Sequence, residues 1–371
     1  MRVALVHDWL TSMRGGEKVL AAIANLFPEA DLFTLLHAKG TCQPIVSGRR
    51  VVCSWLNRLP QIRRYYRYCL GLMPYAIESL KVADYDLILS TSHCVAKGVL
   101  SGDKKHICYC HSPMRYIWGM QSSYQTSMRQ TLTGRLAHGA LAMLTPQLQK
   151  WDVKSSRGID AFIANSQTVA QRIKHLYSRD SKVVYPPVDT EFYYPDPNIQ
   201  SAGFYLVVGA MAPYKRVDQA VEAFSKRTDL QLVIIGTGQM EQALRAKATD
   251  NVRFLGWADN LTIRDHYRRC KALLFPGEED FGITPVEAMA CGAPVIAYDS
   301  GGATETVIAK EGLGVRYPAQ TVDAVLEGIE TLESWPEVDS DALVNNAQAF
   351  SYSAFRKAYT AVLREEGIPI G

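Results

Sequence analysis

The 371-residue sequence predicts an α/β fold of two domains. Short apolar runs alternate with helical patterns along most of the chain, the arrangement of parallel sheets covered on both faces. A proline-rich stretch, from Val183-Val184-Tyr185-Pro186-Pro187-Val188-Asp189 to Pro197, interrupts the alternation near the middle and reads as a linker. A fresh strand pattern, Phe204-Tyr205-Leu206-Val207-Val208-Gly209, begins beyond it, and the length is sufficient for two cores.

In the first half, Val3-Ala4-Leu5-Val6 reads as a buried strand, followed by the loop Arg14-Gly15-Gly16-Glu17 and a helix from about Glu17 to Leu26. Val19, Leu20, Ile23 and Leu26 line one face of that helix. Strand, glycine-rich loop and helix open a Rossmann-like half. Gly15 and Gly16 either let the backbone approach a ligand or make a simple tight turn; their spacing is not a dinucleotide fingerprint. Further strands are predicted at 31–35, 85–90, 106–110 and 161–164, with Ser166 or Thr168 capping the helix after the last. His111 stands just past a strand's carboxyl end, where ligands of open α/β sheets gather, although a lone histidine is more often structural. Residues 58–75 are basic and aromatic. As one amphipathic helix they would bring Arg63, Arg64 and Arg67 together, to lie on an anionic membrane, to grip a phosphate-bearing lipid, or to form a solvated face. Residues 116–151 are rich in aromatics and methionine (Tyr116, Trp118, Met120, Tyr124, Met128, Met143), which fits core packing first and an acceptor surface second.

In the second half, Lys215 and Arg216 precede a helix beginning near Val217 and suit a pyrophosphate or a plain basic surface. Strand 232–235 ends in Gly236-Thr237-Gly238, strand 252–257 enters a turn, and Ser300-Gly301-Gly302 precedes another helix start. The stretch that organises this half follows the apolar run 272–275. It is Pro276-Gly277-Glu278-Glu279-Asp280-Phe281-Gly282-Ile283-Thr284-Pro285-Val286-Glu287. Thr284 suits a helix cap, Pro285 the first helical position and Glu287 a capping box. Exposed amides of such a helix start hold anions. Glu279 and Glu287, eight apart, either reach different parts of one extended ligand or serve as a loop acid and a cap.

Glu279, seven residues and Glu287, with Phe281-Gly282-Ile283 between, resemble the signature of the retaining family-4 glycosyltransferases. The resemblance implies that Glu279 meets sugar hydroxyls, that the amides of Phe281, Gly282, Ile283 and Thr284 hold sugar and phosphate, and that Glu287 binds ribose. It also implies that Lys215 contacts the diphosphate, that Gly15 and Gly16 face it, that Gly236 lies near the nucleoside, and that His111 is an active-site residue beside the donor sugar. His111, Lys215 and Glu279 are then the catalytic candidates. Two positions depart from the pattern: Asp280 stands where many members carry Gly, and Ala210 where an Arg is usual, with Arg216 as its candidate replacement.

The implied architecture is GT-B, two Rossmann-like domains facing across a cleft. Residues 1–185, completed by a returning helix at 351–371, would bind the acceptor, and 186–350 the donor. The blocks Val6-His7-Asp8-Trp9, Ala212-Pro213-Tyr214-Lys215-Arg216 and Gly277-Glu278-Glu279-Asp280-Phe281-Gly282 look most like bacterial mannosyltransferases of O-antigen and exopolysaccharide assembly. That branch implies GDP-mannose as donor and a lipid-linked saccharide as acceptor. A UDP-sugar donor, a sugar-nucleotide epimerase and a non-catalytic nucleotide-sugar-binding component of an assembly complex remain alternatives.

The formal charge of +3 gives no ground for nucleic-acid binding. Eight scattered cysteines without a Cys-x-x-Cys pair suggest neither a zinc framework nor a disulfide scaffold, and favour a reducing cytoplasm. Cys108 and Cys110 read as core residues. The first apolar run is too short for a signal peptide, and no stretch approaches the roughly 20 apolar residues that span a bilayer. Attachment to the inner membrane surface through 58–75 stays open, and no cofactor or divalent metal is called for by the sequence.

Overall fold

The computed structural model describes residues 1–118 and 132–370. Contacts divide the chain into two compact units, Met1–Tyr185 with Ala358–Gly371, and Pro186–Lys357. The division falls inside the last helix, Tyr352–Glu365.

Unit 1 is built on a sheet of seven parallel strands: β1 (Val3–Leu10), β2 (Asp31–His37), β3 (Val51–Cys53), β4 (Leu87–Ser92), β5 (Lys105–Cys110), β6 (Ala161–Ala164) and β7 (Ser181–Val183). Their order is β3-β2-β1-β4-β5-β6-β7. The order reverses between β1 and β4, which pair with Val6 opposite Ser90 and His7 opposite Thr91. Unit 2 has six parallel strands: β8 (Tyr205–Val208), β9 (Leu232–Ile235), β10 (Val252–Gly256), β11 (Ala272–Phe275), β12 (Val295–Tyr298) and β13 (Gly314–Tyr317). Their order is β10-β9-β8-β11-β12-β13, reversing between β8 and β11. Strands buried on both faces read as continuous apolar runs, which is why 161–164, 232–235 and 272–275 are legible in the sequence to the residue.

Several expected boundaries move for local reasons. β1 continues four residues beyond Val6, with His7 and Asp8 fully buried among Trp9 and Leu10. The Gly15–Leu26 helix takes Gly15 and Gly16 into its first turn instead of leaving them in a loop, because the Arg14 amide donates to Glu17 Oε2 at 3.0 Å. Ser166 caps the Gln167–Tyr177 helix, accepting from the Val169 amide at 3.1 Å. The single amphipathic helix expected over 58–75 is instead a series of short turns, Trp55–Arg58, Ile62–Tyr65, Tyr66–Leu72 and Met73–Glu78. Gln61 in the left-handed region (φ 52°) and a kink at Cys69 divide it. Ile62, Tyr66, Leu70 and Met73 nevertheless turn inward and the arginines stay exposed.

Within 116–151, Met120, Tyr124 and Met128 lie outside the described residues. Met143 is exposed on the Leu132–Ser155 helix and is no core residue. That helix is tied down near its end by a buried ion pair, Lys97 Nζ to Asp152 Oδ1 at 2.9 Å. Trp118 Nε1 and the Tyr177 hydroxyl each donate to Asp152 Oδ2 at 2.7 Å. All eight cysteines are free thiols, Cys108 and Cys110 fully buried.

His106 on β5 is also fully buried, its Nε2 2.8 Å from Ser90 Oγ. Burial, reinforced by the charge of Lys97, pushes its pKa down to about 3. Below an unfolded-state pKa of roughly 6.5 the unfolded chain gains a proton that the folded chain refuses, so this contribution is present above about pH 6.5 and is lost as pH falls towards 3. Equilibrium unfolding at pH 7 and pH 5 tests this. His106→Asn is expected to flatten the loss by about 1 kcal/mol or more, and an unchanged slope would contradict the assignment.

Candidate functional site

Both sheets place their polar clusters at the carboxyl ends of the strands flanking the order reversal, where open α/β sheets bind ligands. In unit 1 the cluster is organised by Asp8. Its Oδ2 accepts from the amides of His93 (2.7 Å) and Cys94 (3.0 Å), and its Oδ1 from those of Val95 (2.6 Å) and Ala96 (2.7 Å). One side chain from β1 thus satisfies four consecutive amides leaving β4. Its Oδ2 also lies 3.1 Å from His93 Nδ1.

Around this anchor three imidazoles gather. His7 Nδ1 is 2.6 Å from Thr91 Oγ1, and its Nε2 lies 3.8 Å from Glu17 Oε1, beyond hydrogen-bond reach. The His93 ring is centred 6.0 Å from His7 and 6.4 Å from His111. The open side of Gly16 faces His111 Nε2, which would stand 3.6 Å from a Cβ there, and His7 Cε1, which would stand 3.8 Å from it. Gly16 and His111 are therefore neighbours in unit 1. Burial, with the charges of His93, His7 and Arg115, holds the His111 imidazole well below the ordinary histidine range. Burial lowers His93 too, against the pull of Asp8. Burial raises the Glu17 carboxyl, but His7, a backbone amide and His93 together outweigh it and leave that carboxyl lowered. Around neutral pH His93 and His111 are uncharged groups beside the ionised Glu17. His7, Asp8, Glu17 and His93 carried no assigned role at the level of sequence; the signal was an acid and a histidine inside an otherwise apolar strand.

In unit 2, Lys215 and Glu279 meet directly, Lys215 Nζ donating to Glu279 Oε1, with both side chains only partly exposed. The loop carrying Glu279 is fixed from behind, the Gly302 amide donating to the Glu279 carbonyl at 2.8 Å. Phe281 is a core side chain packed on Phe350, so only its backbone is available to a ligand. The following helix is Ile283–Ala290, two residues earlier than expected, and its cap is Gly282 rather than Thr284. Gly282 has φ 83°, and a Cβ there would stand 2.8 Å from Phe275 Cζ, so glycine rather than a capping hydroxyl sets the helix start. Ile283 and Thr284 open the helix, half-buried. Pro285 and Glu287 consequently fall later in the helix than a capping box requires.

Glu287 is buried, with the Tyr267 hydroxyl donating to its Oε2 at 3.2 Å. Burial and Glu287 together push the phenols of Tyr267 and Tyr193 up. Arg216, in the left-handed region at φ 51°, directs its guanidinium to Asp218 at 3.4 Å and Gln320 at 3.5 Å. It engages those groups and does not join Lys215 at Glu279. Gly236 (φ 139°) has a packing role: a Cβ there would fall 1.9 Å from the Gly209 carbonyl oxygen. Among the described residues no group of three His, Cys, Asp or Glu is placed to hold a metal ion.

Two family descriptions match this chain, Glycosyltransferase Family 4 over residues 13–192 and Glycosyl transferases group 1 over residues 193–350. The chain belongs to the group 1/family 4 glycosyltransferases. A GDP-mannose-dependent monoacylated alpha-(1-6)-phosphatidylinositol monomannoside mannosyltransferase of Corynebacterium glutamicum is 38% identical over 120 residues, 28% of this chain and 32% of that protein. An uncharacterized glycosyltransferase of Methanocaldococcus jannaschii is 25% identical over 293 residues, 70% of this chain and 73% of its own. The first two curated relatives are matched over less than half their length, 32% and 43%. Sucrose-phosphate synthase from Thermosynechococcus elongatus superimposes with a TM-score of 0.74 at 17% identity, covering 98% of this chain and 99% of that one. Anabaena HepE in complex with UDP-glucose gives 0.70 at 19% identity, covering 98% and 100%. The fold of this chain is accordingly GT-B.

Two experiments probe the clusters separately. Asp8→Ala strands four amides, each worth about 1–3 kcal/mol when buried and unpaired, so chemical denaturation should show a loss of at least about 3 kcal/mol. A loss under about 1 kcal/mol would contradict the anchoring role. Glu279→Gln removes the anion held by Lys215. Calorimetric titration with inorganic pyrophosphate is expected to show several-fold tighter binding than wild type, and unchanged or weaker binding would show that the pair does not compete with phosphate.

Proposed function

We propose that this protein is a retaining hexosyltransferase that moves mannose from GDP-mannose onto a lipid-linked saccharide in cell-surface polysaccharide assembly. The observation that carries the reading is the meeting of Lys215 and Glu279 at the order reversal of the second sheet, on a loop flowing into a helix start. A cation and a helix start suit a diphosphate, and a carboxylate beside them suits sugar hydroxyls. The mannose donor is supported by the relative named as GDP-mannose-dependent. A UDP-sugar donor is the second reading, supported by the HepE structures containing UDP and UDP-glucose.

On this reading the donor exchanges the internal ion pair for its own groups: the diphosphate takes Lys215 and the sugar takes Glu279. The amides of Ile283 and Thr284 add to the stabilisation of charge developing on the leaving diphosphate. The acceptor hydroxyl attacks the anomeric carbon from the face the diphosphate leaves. The anomeric carbon–oxygen bond to phosphate breaks, and the departing phosphate oxygen takes the hydroxyl proton. His111, uncharged beside Gly16, contributes a hydrogen bond to a sugar oxygen without adding charge. Glu287 reaches ribose only if its bond to Tyr267 is shared or exchanged.

Thermal unfolding with GDP, UDP, ADP, GDP-mannose and UDP-glucose, with and without EDTA, tests the donor. GDP compounds alone are expected to raise the midpoint, unaffected by EDTA; a ligand at 100 times its Kd contributes about 2.7 kcal/mol. Stabilisation by UDP compounds alone replaces mannose with the second reading. Lys215→Ala and Glu279→Ala should each cost on the order of 100-fold or more in transfer, as for loss of a transition-state charge partner. Folded variants with full transfer would remove the assignment.

A further inference from the structure

We infer that unit 1 docks on an anionic lipid bilayer through a composite face formed by residues 55–75 and the Met143–Leu144 pair of the Leu132–Ser155 helix. Between Asp31 and Glu78 the sequence holds seven Lys or Arg and no Asp or Glu. Four of these, Arg58, Arg63, Arg64 and Arg67, are exposed in the series of short turns. Among them stand exposed Trp55, Tyr65, Tyr68 (59%), Leu72 and Tyr75 (69%). These cluster in 21 consecutive positions, whereas scattered apolar side chains are an ordinary feature of surfaces.

The face extends beyond this segment. Leu144 lies against Gly71, since a Cβ there would be 2.8 Å from Leu144 Cδ1, and its neighbour Met143 is 78% exposed. Two stretches some seventy residues apart in sequence therefore offer apolar tips side by side. The inner side of the same turns is firmly packed through Ile62, Tyr66, Leu70 and Met73. The outward residues are thus presented by a fixed base, and the face is an integral part of unit 1.

Charge and chemistry together select the partner. Arginines without acids between them favour an anionic surface, and tyrosine and tryptophan favour the headgroup level of a bilayer. A single-stranded nucleic acid would also suit arginine beside aromatics, through phosphate contact and base stacking. Leu72, Met143 and Leu144 offer no aromatic face to a base, but they suit the acyl boundary. The docking face is also joined to the histidine cluster. Tyr66, in the same turns, packs edge-on against Trp9 at 5.2 Å, and Trp9 against His93 at 4.5 Å. Docking would bring a lipid-linked acceptor to the unit that holds His111; this one consequence rests on the proposed transferase reading, while the docking itself does not.

The test is flotation of the full chain with vesicles of phosphatidylcholine alone and of phosphatidylcholine mixed with phosphatidylglycerol, without donor or acceptor. Binding is expected with the mixed vesicles only, weakening as salt is raised. Arg63→Ala with Arg64→Ala should weaken it by roughly 5-fold per residue. Leu72→Ser with Tyr75→Ser, and separately Met143→Ser with Leu144→Ser, should each weaken it several-fold with an unchanged thermal midpoint. No binding to mixed vesicles, equal binding to both compositions, or unaltered binding by the folded Met143/Leu144 variant would overturn the composite face. Binding to an RNA homopolymer in place of vesicles would overturn it as well. Since nucleotide stabilisation is measured separately, failure of either experiment leaves the other reading standing.

Discussion

The Asp8 carboxylate is the interaction on which the first site depends. It stands inside β1 with no solvent access and is acceptable there because four amides in succession, from His93 to Ala96, converge on its two oxygens. The chain leaving β4 must therefore wrap around the end of β1 instead of running outward. That wrapping sets His93 against Trp9 and beside His7, whose Nε2 lies 3.8 Å from Glu17 Oε1 in the first turn of the Gly15–Leu26 helix. A residue that reads as a flaw in an apolar strand is the reason the strand ends in a site.

Parallel topology explains why both clusters lie where they do. In each sheet the chain builds outward from a first strand, β1 or β8, and then returns to pair on that strand's other side. The loops leaving the two central strands diverge there and expose backbone and polar side chains at one edge. In unit 1 those loops present His93 and the Gly15–Gly16 helix start, with His111 leaving the next strand. In unit 2 they present Lys215 and Glu279. The family membership and the GT-B fold agree with this placement, while the nature of the transferred sugar depends on side chains that topology does not determine.

The legible parts of the chain were those governed by one dominant rule. Strands such as Leu232–Ile235 and Ala272–Phe275, buried on both faces, showed unbroken apolar runs with definite ends. Helix starts were less legible where two devices competed. Thr284 is a good cap by type, yet Gly282 takes that position because the backbone must turn through φ 83° beside the Phe275 ring. Arg216 was chemically suitable for phosphate, but its direction is set by Asp218 and Gln320, one of them distant in sequence. Residues 55–75 carried the correct inward pattern without the continuous helix, since the left-handed Gln61 and the kink at Cys69 divide the segment while Ile62, Tyr66 and Leu70 keep it anchored. Periodicity reports which side chains face the core more faithfully than it reports whether the backbone between them is unbroken.

The electrostatic contrast between the two clusters supports a division of labour on the proposed reading. In unit 1 burial keeps His93 and His111 uncharged, so His111, which faces Gly16, offers a hydrogen bond without adding positive charge. Such a place suits a hydroxyl better than a diphosphate, which would leave most of its charge unanswered. In unit 2 the cation is present but already bonded to Glu279, so neither charge of this pair stands alone. A ligand bearing only phosphate would displace the carboxylate and leave it unpartnered, and a ligand bearing only sugar would leave the cation so. A nucleotide sugar offers both replacements at once. Selectivity for the intact donor over its separate parts can therefore arise from the internal pair itself.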